Sequence, residues 1–383
     1  MLNEKELNKY NRHILLKEFG EAGQLKLKQS KVLVIGAGGL GCPVLQYLTA
    51  AGVGNIGIVD FDTVAESNLQ RQVLYCEDDI GKSKIIVAAD KLHKQNSLIN
   101  IIPYNIKLNT FNAEKLFNEY QIIVDCTDNF SSRYLINDLC AILGKPMVYG
   151  SVHKFQGQVS VFNFKIPDKK PTTYRCLFPN PPESANLMSC SEIGVLGVLP
   201  GIIGIMQATE VIKIITCIGE VLSGKLLCFD ALTMQTTMIE IERSSDVENI
   251  TPSTLEEFIN KNYDLENNCS SSFKLKEITA GELHELLTDK NNIQLLDVRY
   301  LNEPPFIDEL TDLQIPLHEI ENNHFKISRD KEVIVYCKKG IRSAVAIEIL
   351  TNKFQFTNLI NLKGGVDEWI RFKNRISKLK ELL

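Results

Sequence analysis

KVLVIGAGGLGCPVLQYLTAA, residues 31–51, reads as a buried strand, a glycine turn and a helix. Lys31–Ile35 is a short apolar run of the kind that fills a parallel sheet, Gly36 to Gly41 is the turn, and Cys42–Ala51 is the succeeding helix. Glycines are needed where the backbone turns tightly and must approach phosphate oxygens, which then face the amides of a helix N-terminus. Asp60 closes the next strand, placed for ribose hydroxyls. To this point a dinucleotide-binding domain and an ATP-binding domain are served equally.

The same texture extends on both sides. Across residues 1–242 apolar strand-like runs (KVLVIG, IGIVD, IIPY, QIIVDC, PMVYG, QVSVF) alternate with helical patterns. That alternation predicts a Rossmann-like α/β domain, a mainly parallel sheet with helices on its faces. Residues 243–275 are polar and turn-rich and are expected to be a linker, partly helical near Leu255–Ile259. Residues 276–383 resume the alternation in a smaller α/β unit: IQLLDVR, VIVYC, and SAVAIEILTNK as an amphipathic helix.

The segments beyond the first two strands separate the two nucleotide readings. Ser67-Asn68-Leu69-Gln70-Arg71-Gln72 comes directly after the strand-end acids, Lys84 lies a little further on, and Asp128-Asn129 comes after the strand QIIVDC. A nicotinamide enzyme has no need of converging cations there. A reaction at phosphorus does, because negative charge develops on its oxygens and a carboxylate must hold Mg²⁺. A lone Arg or Lys is usually a solvated surface residue, and only this setting raises Arg71 and Lys84 above that reading.

In the smaller unit, Cys337-Lys338-Lys339-Gly340-Ile341-Arg342 lies between the strand Glu332–Tyr336 and a helix expected from about Ser343. A cysteine there points its thiolate at turn amides and a helix N-terminus, which stabilise a thiolate or persulfide. Lys338, Lys339 and Arg342 add positive charge. Sulfur transfer and phosphate-ester hydrolysis share this geometry.

Composition narrows the classes further. The chain has 383 residues, 44% hydrophobic and 23% charged, with a formal net charge of −5. These values suit an ordinary soluble two-domain protein and lend no support to a nucleic-acid or anionic-membrane partner. The polar start MLNEKELNKYNRH lacks a signal-peptide core, and the apolar stretch Ile193–Met206 is broken by glycines and a proline, so a cytoplasmic location is expected. Ten cysteines without a secretory signal point to reduced thiols, with Cys217 and Cys228 expected as small core residues. The six histidines show no metal spacing, and His153 could line a substrate loop.

YNRHILLKEFG, VIGAGGLGCPVLQYLTAAGVGNIGIVDFDTV, SNLQRQ, DCTDNFSSRYLIND, YRCLFPNPP, CSEIGVLGVLPGIIGIMQATEVIK and LLCFDALTM resemble the MoeB/ThiF family of ubiquitin-activating-enzyme-like adenylyltransferases over nearly all of residues 1–242. The resemblance implies that Gly39 and Gly41 of the turn, Asp60, Ser67, Asn68, Arg71, Lys84, Asp128 and Asn129 bind Mg·ATP. Asn68, Arg71 and Lys84 would contact phosphates, and Asp128 would hold the metal. It further implies that Arg12 reaches into the site of a second subunit of a homodimer. The C-x4-R spacing of Cys337 and Arg342, with LLDVR at 295–299, IPL at 315–317 and KGGVDEW at 363–369, resembles rhodanese, whose loop is one residue shorter than that of the C-x5-R phosphatases. After Arg299 the chain departs from that family's pattern, which leaves the outer wall of the pocket undefined.

Many relatives carry structural zinc on two C-x-x-C pairs. Here the first reads Thr173-Tyr-Arg-Cys176 and the second, near Glu242–Val247, has no cysteine. One thiol cannot supply a four-ligand N/S site, so no zinc is expected. By resemblance, Cys190 would cleave an acyl disulfide intermediate; a buried inert thiol is the equal alternative.

The reading is therefore an adenylyltransferase–sulfurtransferase using ATP and Mg²⁺. It would act on a ubiquitin-like sulfur carrier ending in Gly-Gly, of the molybdopterin-synthase small-subunit type. Sulfur would come from a cysteine desulfurase or thiosulfate. Carriers of thiamine thiazole synthesis or tRNA thiolation are alternatives. A NAD-binding redox protein and a non-catalytic scaffold are readings of other classes.

Overall fold

The structure, a computed structural model, describes residues 1–167, 170–181, 194–244, 246–263, 275–287 and 292–381. The chain divides into two units, whose described parts are 1–181 with 194–263, and 275–381.

The first unit is built on an eight-stranded sheet in the order β3-β2-β1-β4-β5-β6-β7-β8. β1 (Lys31–Ile35), β2 (Asn55–Val59), β3 (Asn100–Tyr104), β4 (Ile122–Asp125) and β5 (Met147–His153) are parallel. β6 (Gln156–Phe162), β7 (Lys225–Asp230) and β8 (Gln235–Glu240) continue the sheet antiparallel. In the middle strand Val32 sits between Ile56 and Ile122. Because alternate residues of a strand face opposite sides, Val32 and Val34 enter one apolar cluster and Leu33 and Ile35 the other. The first cluster is covered by α2 (Gly41–Ala51) and α5 (Leu199–Thr216), the second by α4 (Phe130–Leu143). α5 is long and apolar enough to cross a bilayer, but half of it is buried against the sheet. β8 is exposed along its whole length.

Two expectations are corrected. Cys217 is exposed at the C-cap of α5, with φ +61, because the helix ends there and turns away from the core; Cys228 is half-buried. The stretch read as a linker from residue 243 is, through Tyr263, part of the first unit. Its helix α6 (Leu255–Asn260) buries Phe258, and Phe258 and Tyr263 both join the core cluster beside α4. Two apolar anchors in a polar stretch suffice when each finds a ready cavity, and spacing alone does not reveal that.

The second unit is a five-stranded parallel sheet, order β11-β10-β12-β13-β9. Its strands are β9 (Glu277–Ile278), β10 (Ile293–Asp297), β11 (Leu313–Gln314), β12 (Glu332–Tyr336) and β13 (Leu359–Leu362). α7 (Ile341–Phe354) packs Ala346, Ile347 and Leu350 into one cluster, while α8 (Gly365–Glu381) packs Val366 and Trp369 into the other. α7 starts two residues earlier than the expected Ser343.

Candidate nucleotide and sulfur-transfer sites

Strand order places the first site. β2 and β3 lie on one side of β1, β4 and β5 on the other, so the connections after β1 and β4 leave in opposite directions and open a crevice at their carboxyl ends. Into it project the glycine turn, the Asp60–Asp62 corner and the Thr127–Asp128 corner. The turn is tight: a methyl group on Gly41 would lie 2.0 Å from the Gly36 carbonyl oxygen. Asp60 braces it, its Oδ2 accepting from Ala37 N (2.8 Å) and its Oδ1 from Asp62 N (2.9 Å).

Two cations lie beside these corners. Arg71 donates from Nη1 to the Ser67 carbonyl at 3.0 Å, and its Cγ would be 3.5 Å from a methyl group on Gly39. The structure thus brings Ser67, Arg71 and Gly39 together. Asn68 closes a short turn by accepting from Ala65 N. Lys84, 5% exposed, is held by Asp62, Nζ to Oδ2 at 2.9 Å. Sequence reading passed over Asp62, whose only signal is its place two residues beyond Asp60. It also passed over Gln72, which is buried with its Oε1 unpartnered and its amide nitrogen beside Gly38.

Asp128 is exposed at the end of β4 on a rigid support. Thr127 donates from N and Oγ1 to buried Asp125 (3.0 and 2.6 Å), and its carbonyl accepts from Arg133 Nη2 at 3.0 Å. Arg133 also reaches Asp125 (3.3 Å) and lies 5.0 Å over the Tyr149 ring. Burial pushes the Asp125 carboxyl up, opposed by the Arg133 charge. Asn129, expected to touch nucleotide, caps α4 through its side-chain oxygen, which accepts from Ser132 N at 2.8 Å; its amide nitrogen and the second lone pair of that oxygen are left for such a role. Among the described residues no group of three His, Cys, Asp or Glu side chains could hold a metal. One exposed carboxylate still suits Mg²⁺, which takes few protein ligands and completes its shell with phosphate and water. Of the two C-x-x-C pairs that hold zinc in many relatives this chain keeps Cys176 alone, and one thiol cannot supply a four-ligand site; that thiol accepts from Thr173 N at 3.3 Å. A cleft of about 880 Å³ lined by Phe164, Lys213, Cys217 and Arg243 contains none of the nucleotide-site residues. Arg12 is exposed on α1 (Asn11–Ile14), with Leu15 and Leu16 exposed after it.

In the second unit Cys337 sits at the floor of its loop, 1% exposed. Its sulfur accepts from Gly340 N at 3.1 Å and from Ser343 Oγ at 3.5 Å. The loop is bolted from below: Val366 N donates to the Cys337 carbonyl (2.9 Å) and Asp367 N to that of Lys338 (3.0 Å). Gly365 allows this approach, since a methyl group on it would lie 2.2 Å from the Cys337 oxygen. Lys338, Lys339 and Ile341 are exposed. Arg342 does not stand alone: Nη1 and Nη2 each donate to Glu303 at 2.6 Å. Burial alone would raise the Glu303 carboxyl; Arg342 outweighs it and holds the group below the usual range. Glu303 therefore ties the cysteine loop, through Arg342, to the segment after Arg299 whose role the sequence left undefined. Asp297 and Arg299 form a buried pair (2.7 Å), and Arg299 also donates to the Pro305 carbonyl (2.8 Å), which ties β10 to that segment. Cys190 lies outside the described residues.

Comparison with known proteins agrees with both halves. Residues 10–252 match the ThiF family and residues 279–372 the rhodanese-like domain. The chain is 41% identical over 373 residues to a Mycobacterium tuberculosis protein named probable adenylyltransferase/sulfurtransferase MoeZ, covering 97% of this chain and 94% of that one. It is 37% identical over 396 residues to adenylyltransferase and sulfurtransferase MOCS3 of Xenopus laevis, covering 96% and 87%. Among solved structures, E. coli MccB with ATP aligns with a TM-score of 0.53 at 25% identity, over 63% of this chain and 73% of that one. PaaA aligns with a TM-score of 0.54 at 22% identity, over 63% and 76%.

Proposed function

The chain belongs to the ThiF family and carries a C-terminal rhodanese-like domain, and from that premise we propose that it activates the C-terminus of a ubiquitin-like sulfur carrier with ATP and then delivers sulfur to it. The observation that carries this reading is the union, in one chain, of a tight glycine turn at a sheet switch point and a cysteine seated in a C-x4-R loop. The names of the relatives support the pairing of adenylyl and sulfur transfer, and they favour a carrier of the molybdopterin-synthase small-subunit type.

In the first step a carboxylate oxygen of the carrier's terminal glycine attacks the α-phosphorus of ATP. The bond from that phosphorus to the bridging oxygen breaks, releasing pyrophosphate and leaving an acyl-adenylate. Arg71 and Lys84 stabilise the charge on the phosphate oxygens, Asp60 holds the ribose, and Asp128 would hold Mg²⁺, which when bound neutralises phosphate charge. In the second step the terminal sulfur of a Cys337 persulfide attacks the acyl carbon and AMP leaves, giving an acyl disulfide. A thiolate, from Cys190 or from an external thiol, then attacks the Cys337 sulfur. The carrier thiocarboxylate departs, and the new disulfide awaits reduction by a cellular thiol. Cys337 would be loaded by a cysteine desulfurase or thiosulfate. We also propose a homodimer in which Arg12 serves the neighbouring subunit's site; the exposed Leu15 and Leu16 beside it support a covered surface there.

ATP–pyrophosphate exchange measured with Gly-Gly-ending carriers tests the reading. Exchange dependent on one carrier supports it and names the pathway; absence of exchange with every carrier, despite ATP binding, overturns it.

A further inference from the structure

Strand register carries a polar side chain of β13 up to the cysteine loop. Asn361 pairs with Val335 on β12 and with Glu277 on β9, and residues in register on parallel strands share a face of the sheet. Val335 and Leu359 place that face in the apolar cluster that α7 covers. Asn361 therefore meets Ser343, on the first turn of α7, and both are buried beside Cys337.

Three contacts join these side chains in a row. Glu277 Oε1 accepts from Asn361 Nδ2 at 3.2 Å, Asn361 Oδ1 accepts from Ser343 Oγ at 2.7 Å, and Ser343 Oγ lies 3.5 Å from the Cys337 sulfur. A carboxylate only accepts, so Glu277 fixes which end of the Asn361 amide faces Ser343. The hydroxyl has one proton and reaches two acceptors, and the oxygen at 2.7 Å takes the larger share of it. The Gly340 amide at 3.1 Å is then the principal donor to the sulfur. The charged groups around the row are Lys363, with Nζ 3.7 Å from Glu277, Lys338 and Lys339 of the loop, the Arg342–Glu303 pair, and Asp367 in the first turn of α8.

We propose that Asn361, oriented by Glu277, is a positioning residue that withholds the Ser343 proton from the Cys337 thiolate. The inference rests on the sulfur-delivery reading above. In loading, the thiolate attacks the outer sulfur of a persulfide: a new S–S bond forms, the donor's S–S bond breaks, and the donor leaves as a thiolate. A thiolate given a full hydroxyl hydrogen bond persists to lower pH but attacks more slowly, because nucleophilicity falls with basicity. Asn361 sets that balance on the side of attack.

The test uses the full chain and follows iodoacetamide alkylation of Cys337 against pH, by mass spectrometry of the peptide that contains it. Asn361→Leu removes the competing acceptor at similar volume. Its alkylation midpoint should fall by about one pH unit, the effect of one hydrogen bond to a charged group, and its high-pH plateau should drop about threefold. Asn361→Asp keeps an acceptor towards Ser343 and adds negative charge, so its midpoint should rise. A merely damaged loop would not move the two variants in opposite directions. Made in a Ser343→Ala chain, the leucine substitution should move neither midpoint nor plateau relative to Ser343→Ala alone. Loading of Cys337 from cysteine persulfide should show the same loss of plateau rate in Asn361→Leu. A shift that survives in the Ser343→Ala background, or equal midpoints in wild type and both variants, overturns the proposal. Failure of the wild type to load from cysteine persulfide or thiosulfate overturns the sulfur-delivery reading alone, because the alkylation profile reads Asn361 without it.

Discussion

Gly365→Ala is the sharpest probe of how the cysteine loop is built. Gly365 has φ +59, a conformation that costs a residue with a side chain about 1 kcal/mol or more. The added methyl group would stand 2.2 Å from the Cys337 carbonyl oxygen and 2.7 Å from the Lys338 carbonyl carbon and oxygen. All three are backbone atoms, so relief requires moving the loop off the start of α8, at an overpacking cost of about 1–3 kcal/mol. That movement also stretches the two bonds from Val366 N and Asp367 N, each worth about 1 kcal/mol. The sum is about 4–6 kcal/mol, confined to the second unit. At about 4–8 °C per kcal/mol for a domain of this size, calorimetry of the full chain should show one transition lowered by at least ~10 °C. Mass spectrometry should show loss of the sulfur adduct on Cys337 after incubation with a persulfide donor, and ATP–pyrophosphate exchange should stay at the wild-type rate. An unshifted transition with normal loading would refute the view that the 363–367 turn holds the cysteine loop in place.

Three further outcomes are expected. Lys84→Met should lower ATP–pyrophosphate exchange by about 10²–10³-fold, the usual effect of losing one preorganised charge at a developing oxyanion; near-normal exchange would remove Lys84 from the phosphate site. Glu303→Gln should destabilise the second unit by about 1–2 kcal/mol at neutral pH. Because the folded-state carboxyl lies below its ordinary value, its contribution is present above the unfolded pKa and lost as pH falls through the folded one. The wild type should therefore lose stability in acid more steeply than the variant, and parallel acid melts would contradict the pairing. Gly39→Ala should fold, since its methyl group meets Pro200 Cβ at 3.1 Å with some room to give, yet bind ATP weakly. Gly41→Ala, with 2.0 Å to the Gly36 oxygen, should fail to accumulate as folded protein; equal folding and ATP affinity in both would count against the tight turn.

Both α/β units, and the residues that would meet phosphate and sulfur, were readable along the chain because their signals are local. Apolar runs of five residues, glycines at fixed offsets and a cysteine closing a strand are patterns within a dozen positions, and they single out the glycine turn and the Cys337 loop; the roles proposed for Asp60, Arg71, Lys84 and Asp128 come from the family resemblance. Local reading failed where a partner is distant. Glu303 is an ordinary acid until the fold sets it against Arg342, thirty-nine positions away. Asp138 and Tyr263, 125 positions apart, turn an apparent linker into part of the core. Asn129 is occupied as a helix cap, and Gln72 is buried with an unpartnered oxygen. Periodicity and motif spacing thus determined the elements and the chemistry on offer. Only the tertiary structure decided which charges are neutralised, which polar atoms stay free and where the first unit ends, because desolvation and pairing depend on what surrounds a group in space and sequence distance carries no record of it.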